Sequence, residues 1–466
     1  MKRLILSIIM MVFTLLAWAQ NDDLKRSQDS IRQVMEERMK KWQANRELYK
    51  RMYAEDPYHT IDSVLQANRV ENQQKGRDGL MKYEANTRID TLEEIDLSYA
   101  NLEEIPEFVY AAENMEVLIL DYNYIKKLSK RLNELPNLKR LYWRANDLDK
   151  VWWIKIQKID SLEKLDISNN LLTRLPSGVK HLENLKELVA NENFFGEIPI
   201  KRLSKAKSVK EVSFSKSHVI SIQNGDFERL QSIKVFKVNN SGLKQIHSSI
   251  YKMPALEELQ LQENQLVTIP MGISKMSQLT KLSFYKNQIT SLPDDLFEMN
   301  LKVIDLYYNE LEVIPESIGN FEDLEVLFLA HNKIYSLPES IGQLTKLEEF
   351  YAHHNRLSVL PESVSNLTKL KIARVNDNYL AEFPTQFLEM EYLSDFDISN
   401  NQLTTLHSDL EKLKALELFS YQENPINFES AENKFISPMI VKMMDRGVTC
   451  IPRIYKEEVD EEQSGE

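Results

Sequence analysis

The chain contains 466 residues and carries a formal net charge of -13 at pH 7. At roughly 150 residues per domain this length allows for about three domains, while the acidic balance disfavours a nucleic-acid partner or an anionic membrane surface. A single cysteine, Cys450, excludes an intrachain disulfide framework.

The first residues have the composition of a secretory signal peptide. Lys2 and Arg3 precede an apolar run over residues 4–16, and an A-x-A site ends at Ala19. The run is shorter than the roughly 20 residues that a transmembrane helix needs, which disfavours the alternative of an uncleaved anchor. We therefore expect residues 1–19 to be removed after Ala19, no integral membrane span in the mature chain, and export to the periplasm, the cell surface or the medium.

Residues 20–88 are predicted to form a helical N-terminal region. Apolar residues recur at three- and four-residue steps over about residues 23–54, as in an amphipathic helix, and a second helix follows over about residues 60–72. Residues 73–79 have the composition of a flexible joint. We interpret the region either as a cap on the core of the first repeat or as a coiled-coil or partner-binding arm.

A repeat of 22 to 24 residues occupies residues 89–427. Its clearest copy, residues 324–347, has the pattern L-x-x-L-x-L-x-x-N-x-L followed by x-x-L-P-x-x-I-x-x-L-x-x-L. A fixed period of this length predicts a solenoid in which each coil stacks on the next. The fifteen copies, numbered as coils one to fifteen, align on Ala100, Asn123, Asn146, Asn170, Asn193, Ser217, Ser241, Asn264, Asn287, Asn309, Asn332, Asn355, Asn378, Asn401 and Asn424.

This pattern predicts a short strand in each coil and a ladder of asparagines beside the strands. Leu327 and Leu329 lie two residues apart, so both point to one face of a strand, and stacked coils bury that face while their strands pair in parallel. The asparagine amides can satisfy the buried backbone where the chain leaves each strand. We expect Ser217 and Ser241 to take a partial role in the ladder and Ala100 to take none.

A column of prolines falls six residues after the ladder position, where a fixed φ and a missing N–H suit a turn. Segments such as residues 339–347 are then predicted to return as a short helix or 3₁₀ turn. Coils three, six and seven have Trp152, Gln223 and His247 in this column, and we expect them to be less regular. The prolines are Pro106, Pro176, Pro199, Pro270, Pro293, Pro315, Pro338, Pro361 and Pro384.

Residues 428–456 are predicted to cap the last coil. Residues 438–446 have a helical pattern that Gly447 ends, and residues 448–451 have the composition of one more strand. Cys450 is interpreted as a buried core thiol rather than a nucleophile. The acidic residues 457–466 are expected to be disordered.

The repeat resembles that of the leucine-rich repeat family, in the form whose second half is L-P-x-x-I-x-x-L, and the resemblance covers residues 92–426. It implies an α/β fold, a horseshoe-shaped solenoid of about fifteen repeats with a parallel β-sheet on its concave face and a helical N-terminal cap. Secreted members from animals and plants usually have cysteine-paired caps. The lack of such cysteines favours a bacterial, exported protein.

The sequence has none of the motifs that most often indicate catalysis. There is no G-x-x-x-x-G-K-[ST] loop, H-E-x-x-H, C-x-x-C or G-x-S-x-G. Enzymes of the family usually carry a separate catalytic domain, and the segments outside the repeats are too short for one. We therefore predict a protein that is not an enzyme and uses no cofactor.

Two columns, four and two residues before the ladder position, are predicted to project from the sheet. They are mostly small or polar in coils three to eight and become aromatic from coil nine. Exposed aromatic residues are the usual anchors of a binding hot spot; the alternative is that they pack on cross-strand neighbours and only stabilise the sheet. The candidate partner-binding residues are Tyr285, Tyr307, Phe328, His331, Tyr351, His353, His354 and Arg374, with Tyr308 and Asp397 beside them.

Three of these candidates, His331, His353 and His354, are predicted to lie close together in adjacent coils. Three imidazoles can bind a transition metal, but histidines serve more often as polar spacers, and no carboxylate is expected beside them. We predict no metal site. Because neighbouring imidazoles disfavour double protonation, binding at this surface is expected to weaken in mild acid.

The sequence thus predicts a non-enzymatic, exported protein that binds a protein partner through the concave sheet face. The alternative is a cell-surface glycan-binding protein in which four aromatic side chains form a platform for sugar rings: Tyr285, Tyr307, Phe328 and Tyr351. The oligomeric state is left open.

Overall fold

The structure is a computed structural model that describes residues 69–126, 129–146, 148, 159–217, 219, 221–222, 225 and 227–451. The predicted leader, the predicted helix over residues 23–54 and the acidic tail lie outside these ranges. The chain divides into two units, Met1–Glu71 and Asn72–Glu466, of which the second contains the repeats. In the part that is described, no helix is both long and apolar enough to cross a membrane.

Short parallel strands recur at the period of the repeat. They are β1 (Glu94–Asp96), β2 (Val117–Ile119), β3 (Arg140–Tyr142), β4 (Lys164–Asp166), β5 (Glu187–Val189), β6 (Glu211–Ser213), β7 (Ser221–Ile222), β8 (Val235–Lys237), β9 (Gln245–Ile246), β10 (Glu258–Gln260), β11 (Lys281–Ser283), β12 (Val303–Asp305), β13 (Val326–Phe328), β14 (Glu349–Tyr351), β15 (Ile372–Arg374), β16 (Asp395–Asp397), β17 (Leu418–Ser420) and β18 (Thr449–Ile451). Sixteen of them form one parallel sheet in chain order, and β7 pairs with β9 in a second sheet. The large sheet has one strand for each of the fifteen coils and a last strand, β18, after them.

Alternate residues of each strand point into the core, as the two-residue period of a strand dictates. The register pairs Leu327 of β13 with Phe350 of β14, and both side chains are fully buried. Leu329, two residues beyond Leu327, is fully buried as well. Because each coil adds such a layer, one continuous apolar core runs along the sheet. The predicted solenoid of stacked coils is confirmed.

The predicted asparagine ladder is also confirmed. Asn332 Nδ2 donates to the carbonyl oxygens of Leu306 and Leu329, each at 2.9 Å. Its Oδ1 accepts from the N–H of Leu311 at 3.0 Å. Leu306 and Leu311 belong to the preceding coil, so this side chain ties two coils together. Equivalent bonds are made by Asn123, Asn146, Asn170, Asn193, Asn264, Asn287, Asn309, Asn355, Asn378, Asn401 and Asn424.

The two serines of the ladder make part of this pattern. Ser217 Oγ donates to the carbonyl of Ala190 at 3.2 Å, and Ser241 Oγ donates to that of Phe214 at 3.4 Å. Both carbonyls belong to the preceding coil. A hydroxyl has one proton where an amide has two, so each serine can replace only part of an asparagine.

The α-helices of the described residues are α1 (Arg69–Glu84), α2 (Ile200–Leu203) and α3 (Ile436–Asp445). The prediction of a flexible joint over residues 73–79 is wrong, because these residues lie within α1. A Cβ at Gly76 would lie 2.5 Å from the carbonyl oxygen of Ser98, so the glycine allows the helix to approach the backbone of coil one. The Tyr83 hydroxyl also accepts from the N–H of Asp96 at 3.3 Å.

Most coils return through a 3₁₀ helix that follows the proline column. Where the proline is missing, another side chain can start the helix: Ser129 Oγ, His247 Nδ1 and His407 Nδ1 accept from the N–H two residues later at 3.2, 3.1 and 3.2 Å. Coil seven, expected to be less regular, therefore has a complete 3₁₀ helix after His247. Trp152 and Gln223 lie outside the described residues. The 3₁₀ helices are Ile89–Thr91, Glu107–Ala111, Lys130–Glu134, Ser177–His181, Phe227–Arg229, Ser248–Lys252, Ile273–Lys275, Asp294–Glu298, Glu316–Asn320, Glu339–Gln343, Glu362–Asn366, Thr385–Phe387 and Ser408–Lys412.

After coil fifteen, α3 and β18 cover the end of the sheet. Ile440 and Met443 of α3 are fully buried, and Cys450 of β18 is 4% exposed. The Thr449 N–H donates to the carbonyl of Glu417 at 2.8 Å, which joins β18 to the last coil. Cys450 therefore has the position of a core residue.

Candidate functional site

The candidate residues lie on β11 to β15 and on the residues that follow each of these strands. Because neighbouring strands pair residue for residue, equivalent positions of successive coils form straight columns across the sheet. Side chains that are far apart in sequence are thereby brought into contact. We call six of them the aromatic–histidine cluster: Tyr285, Tyr307, Tyr308, His331, His353 and His354.

The tyrosines of the cluster form one half of it. The rings of Tyr285 and Tyr307 stack with centroids 5.9 Å apart, and Tyr308 packs edge-on against Tyr307 at 4.7 Å. The Tyr307 hydroxyl lies 2.9 Å from Nε2 of His353, two coils away. The intervening coil has the fully buried Ala330 in this column, and its small side chain leaves room for the bond.

A second column, one residue before the ladder position, holds the other rings. Tyr308, His331 and His354 have φ values of 54°, 52° and 52°, in the left-handed region. This conformation turns the chain out of each strand in the same way, so the side chains of successive coils stack. The ring centroids are 4.0 Å apart for Tyr308 and His331 and 3.9 Å apart for His331 and His354.

The same column continues to a carboxylate. Asp377 has a φ of 53°, and its Oδ2 lies 3.3 Å from Nδ1 of His354. Asn376 Nδ2 donates to that oxygen at 2.5 Å, and Asn400 Nδ2 donates to the other one. The expectation that no carboxylate lies beside the histidines is therefore wrong. Asp377 is one residue before Asn378, so the register of the repeat contained the signal that would have found it.

Two of the imidazoles are held in the neutral form. Burial, and then the neighbouring His354, lower the pKa of His331 to about 4. Burial, followed by His354, His331 and Arg374, lowers the pKa of His353 to about 3. Both rings therefore remain uncharged through mild acid, so the expected weakening of binding in mild acid would not come from protonation of these two rings.

Phe328 and Tyr351 differ from the other candidates because they are buried. Their side chains are 2% and 4% exposed, and their rings stack with centroids 4.8 Å apart. The Tyr351 hydroxyl donates to Glu349 Oε2 at 2.8 Å. The prediction that these two residues are exposed anchors is wrong, since cross-strand stacking removes them from the surface. Tyr308, at 40% exposed, and His354 are the most accessible rings of the cluster.

Arg374 lies at the end of β15 and borders the cluster. Its Nη2 donates to Asp395 Oδ2 at 2.7 Å. Burial raises the pKa of Asp397, whose Oδ1 accepts from the Ser399 N–H at 3.0 Å. The chemistry next to the cluster is therefore an ion pair and a partly buried carboxyl, while the cluster itself offers imidazole rings and tyrosine hydroxyl groups.

Family models match the coils that hold the site. The model described as Leucine rich repeat matches residues 277–334 and 300–357, and a second, described as Leucine Rich Repeat, matches residues 161–182. The chain is a leucine-rich repeat protein. None of the curated proteins matches it by sequence. Leucine-rich repeat proteins are typically non-enzymatic scaffolds for protein–protein interaction.

Solved structures have the same fold as this leucine-rich repeat protein. A leucine-rich repeat protein of Leptospira interrogans is 25% identical, with a TM-score of 0.63 over 79% of this chain and 97% of that chain. A chain of the Toll–Spatzle complex from Drosophila is 20% identical, with a TM-score of 0.64 over 74% of this chain and 49% of that chain. An internalin of Listeria monocytogenes is 18% identical, with a TM-score of 0.50 over 82% of this chain and 95% of that chain.

Proposed function

We propose that this leucine-rich repeat protein binds a protein partner through its sheet face, with the aromatic–histidine cluster as the anchor. The observation that carries the proposal is the continuous set of ring contacts from Tyr285 to His354, on residues that directly follow the strands of the sheet. Aromatic side chains bury a large area at low entropic cost, and rings already held by stacking lose little more on binding.

The surroundings of the cluster have the composition of an interface rim. Lys286 forms an ion pair with Glu263, and Lys333 forms one with Glu310, all at exposed or half-exposed positions on coils eight to eleven. At the centre the ring of His353 is uncharged, because burial lowers its pKa to about 3. An apolar, hydrogen-bonding centre with a charged rim is the usual anatomy of a protein–protein contact.

Export from a bacterium belongs to the same proposal. Its support is the signal-peptide pattern of residues 1–19 together with a sequence that has one cysteine.

The Toll–Spatzle complex, in which a chain of similar fold is bound to a partner, provides a precedent for the binding of a protein partner by this fold.

The test is affinity capture from host or neighbouring-cell extract by the chain from Gln20, with captured proteins quantified by mass spectrometry. The double variant Tyr308→Ala, His354→Ala removes the two most accessible rings. Tyr335→Ala, which removes a ring that is 53% exposed outside the cluster, is the matched control. We expect a protein that wild type and control capture equally and that the double variant loses.

A captured protein is then purified and titrated against the same three proteins. Equal affinity for all three would contradict a role for the cluster. Capture of no protein, together with specific signals on a glycan array, would replace the protein partner with a sugar. Circular dichroism of each variant shows that the coils remain folded.

A further inference from the structure

Contrary to the prediction from the sequence, we infer that His331, His353 and His354 form a binding site for a divalent transition-metal ion such as Zn²⁺. One nitrogen of each ring lies within 4.8 Å of the other two. Imidazole nitrogen is a preferred ligand of zinc, copper and nickel, and three histidines leave a fourth coordination position for water or another ligand. The inference goes beyond protein binding, and no partner is needed to test it.

The fold brings the three rings together from two directions. His331 and His354 stack along the left-handed column, whereas the ring of His353 stands at 80° to His331 and 76° to His354. The plane of the His353 ring is therefore nearly perpendicular to the planes of the stacked pair. A tetrahedral site with Zn–N bonds of about 2.0 Å needs nitrogens about 3.3 Å apart and an ion in the plane of each ring. Zinc binding therefore requires side-chain rotations that open the stack of His331 and His354.

His353 has a buried nitrogen for which the structure supplies no other use. Its Nε2 faces the Tyr307 hydroxyl at 2.9 Å, while its Nδ1 is buried with no hydrogen-bond partner among the described residues. Such an atom carries a free-energy cost that a ligand can remove. When Nε2 holds the proton and donates it to the Tyr307 oxygen, the lone pair of Nδ1 is available to a metal ion.

Asp377 supplies the carboxylate that usually stands behind a metal-binding histidine. Its Oδ2 lies 3.3 Å from His354 Nδ1, and this negative charge favours the tautomer with the proton on Nδ1, which leaves Nε2 as the ligand. Asn376 and Asn400 hold the carboxylate in turn. The ring of His354 is thereby oriented before any ion binds.

The test is isothermal titration of the full chain, without a histidine tag, with ZnCl₂ near neutral pH. We expect one equivalent of zinc to bind. His354→Gln, which changes an exposed ring, should weaken binding at least tenfold, and Asp377→Asn should weaken it by about 10- to 100-fold. His181→Gln, at an exposed histidine in a distant coil, is the matched control and should bind as wild type does.

Thermal unfolding gives a second readout. Zinc should raise the unfolding midpoint of wild type and of His181→Gln, because it binds the folded state, and should leave unchanged that of the triple variant in which His331, His353 and His354 are glutamine. Wild type without saturable zinc binding would overturn the inference, and so would an unchanged affinity in His354→Gln. If the triple variant does not fold, the single variants decide.

Discussion

The Tyr307 hydroxyl lies 2.9 Å from Nε2 of His353 although 46 residues separate them in the chain. The bond passes over coil eleven, whose Ala330 is fully buried in the same column. It therefore links coils ten and twelve directly, in addition to the contacts between neighbouring coils that stabilise a solenoid.

Tyr307→Phe should lower the free energy of unfolding by about 1 kcal/mol, because it removes a hydrogen bond and leaves His353 Nε2 without its partner. Urea unfolding measures the change. Tyr335→Phe, at a tyrosine that is 53% exposed, is the control and should unfold as wild type does. Equal stability of the two variants would show that the bond contributes nothing.

Asn332→Ala should cost about 1 to 3 kcal/mol, because it leaves the carbonyls of Leu306 and Leu329 and the N–H of Leu311 unsatisfied. Asn332→Ser should cost less, since Ser217 shows that a hydroxyl can reach the preceding coil. The exposed Asn320→Ala is the control. Chemical denaturation that ranks alanine and serine alike would argue against the ladder as a source of stability.

The two glycines of α1 should respond to alanine in opposite directions. At Gly79 an added Cβ meets nothing within 4 Å, so Gly79→Ala should stabilise the helix by about 1 kcal/mol. At Gly76 the Cβ would lie 2.5 Å from the backbone of Ser98 and Tyr99, so Gly76→Ala should destabilise the protein. Thermal unfolding of both variants checks the pair, and a stabilising Gly76→Ala would contradict the close approach.

Asp166 should make stability depend on pH. Its side chain is 1% exposed, and burial raises its pKa to about 6 from the usual 3.8. Between these two values the folded state holds a proton that the unfolded state has lost, so stability falls as the pH rises from about 4 to about 6. Asparagine cannot ionise, so Asp166→Asn removes this pH-dependent loss of stability. The variant should raise the free energy of unfolding by about 3 kcal/mol at pH 7.

At pH 4 the same variant should match wild type, because Asp166 is then protonated in the folded state. Asp96→Asn is the matched control: this carboxylate makes the same bond, accepting from the Ser98 N–H at 2.9 Å as Asp166 accepts from the Ser168 N–H at 3.0 Å, but it is exposed. Denaturant unfolding at pH 4, 5 and 7 follows both variants. If Asp166→Asn raised the free energy of unfolding equally at all three pH values, titration of the Asp166 carboxyl would be ruled out as the cause.

The sequence predicted which coils hold the candidate site, but not which of its side chains are buried or which rings are in contact. The repeat alignment brings Tyr285, Tyr307 and the three histidines to neighbouring coils, because equivalent positions of a solenoid are always adjacent. The same alignment does not show whether a side chain is buried or exposed. Phe328 and Tyr351 occupy columns expected to be exposed, and only the packed structure shows them stacked on each other and buried.

The sequence by itself determined the architecture, since the spacing of leucines and ladder asparagines leaves one way to bury the apolar face and satisfy the backbone at each turn. The tertiary structure decided what that spacing cannot express: which rings touch, that Asp377 stands beside His354, and that residues 73–79 are helical. These features depend on contacts between coils and on Gly76 fitting against coil one. The local sequence pattern determines the fold because every coil repeats it. The site depends on side chains that are specific to single coils, so the repeat pattern does not predict their contacts.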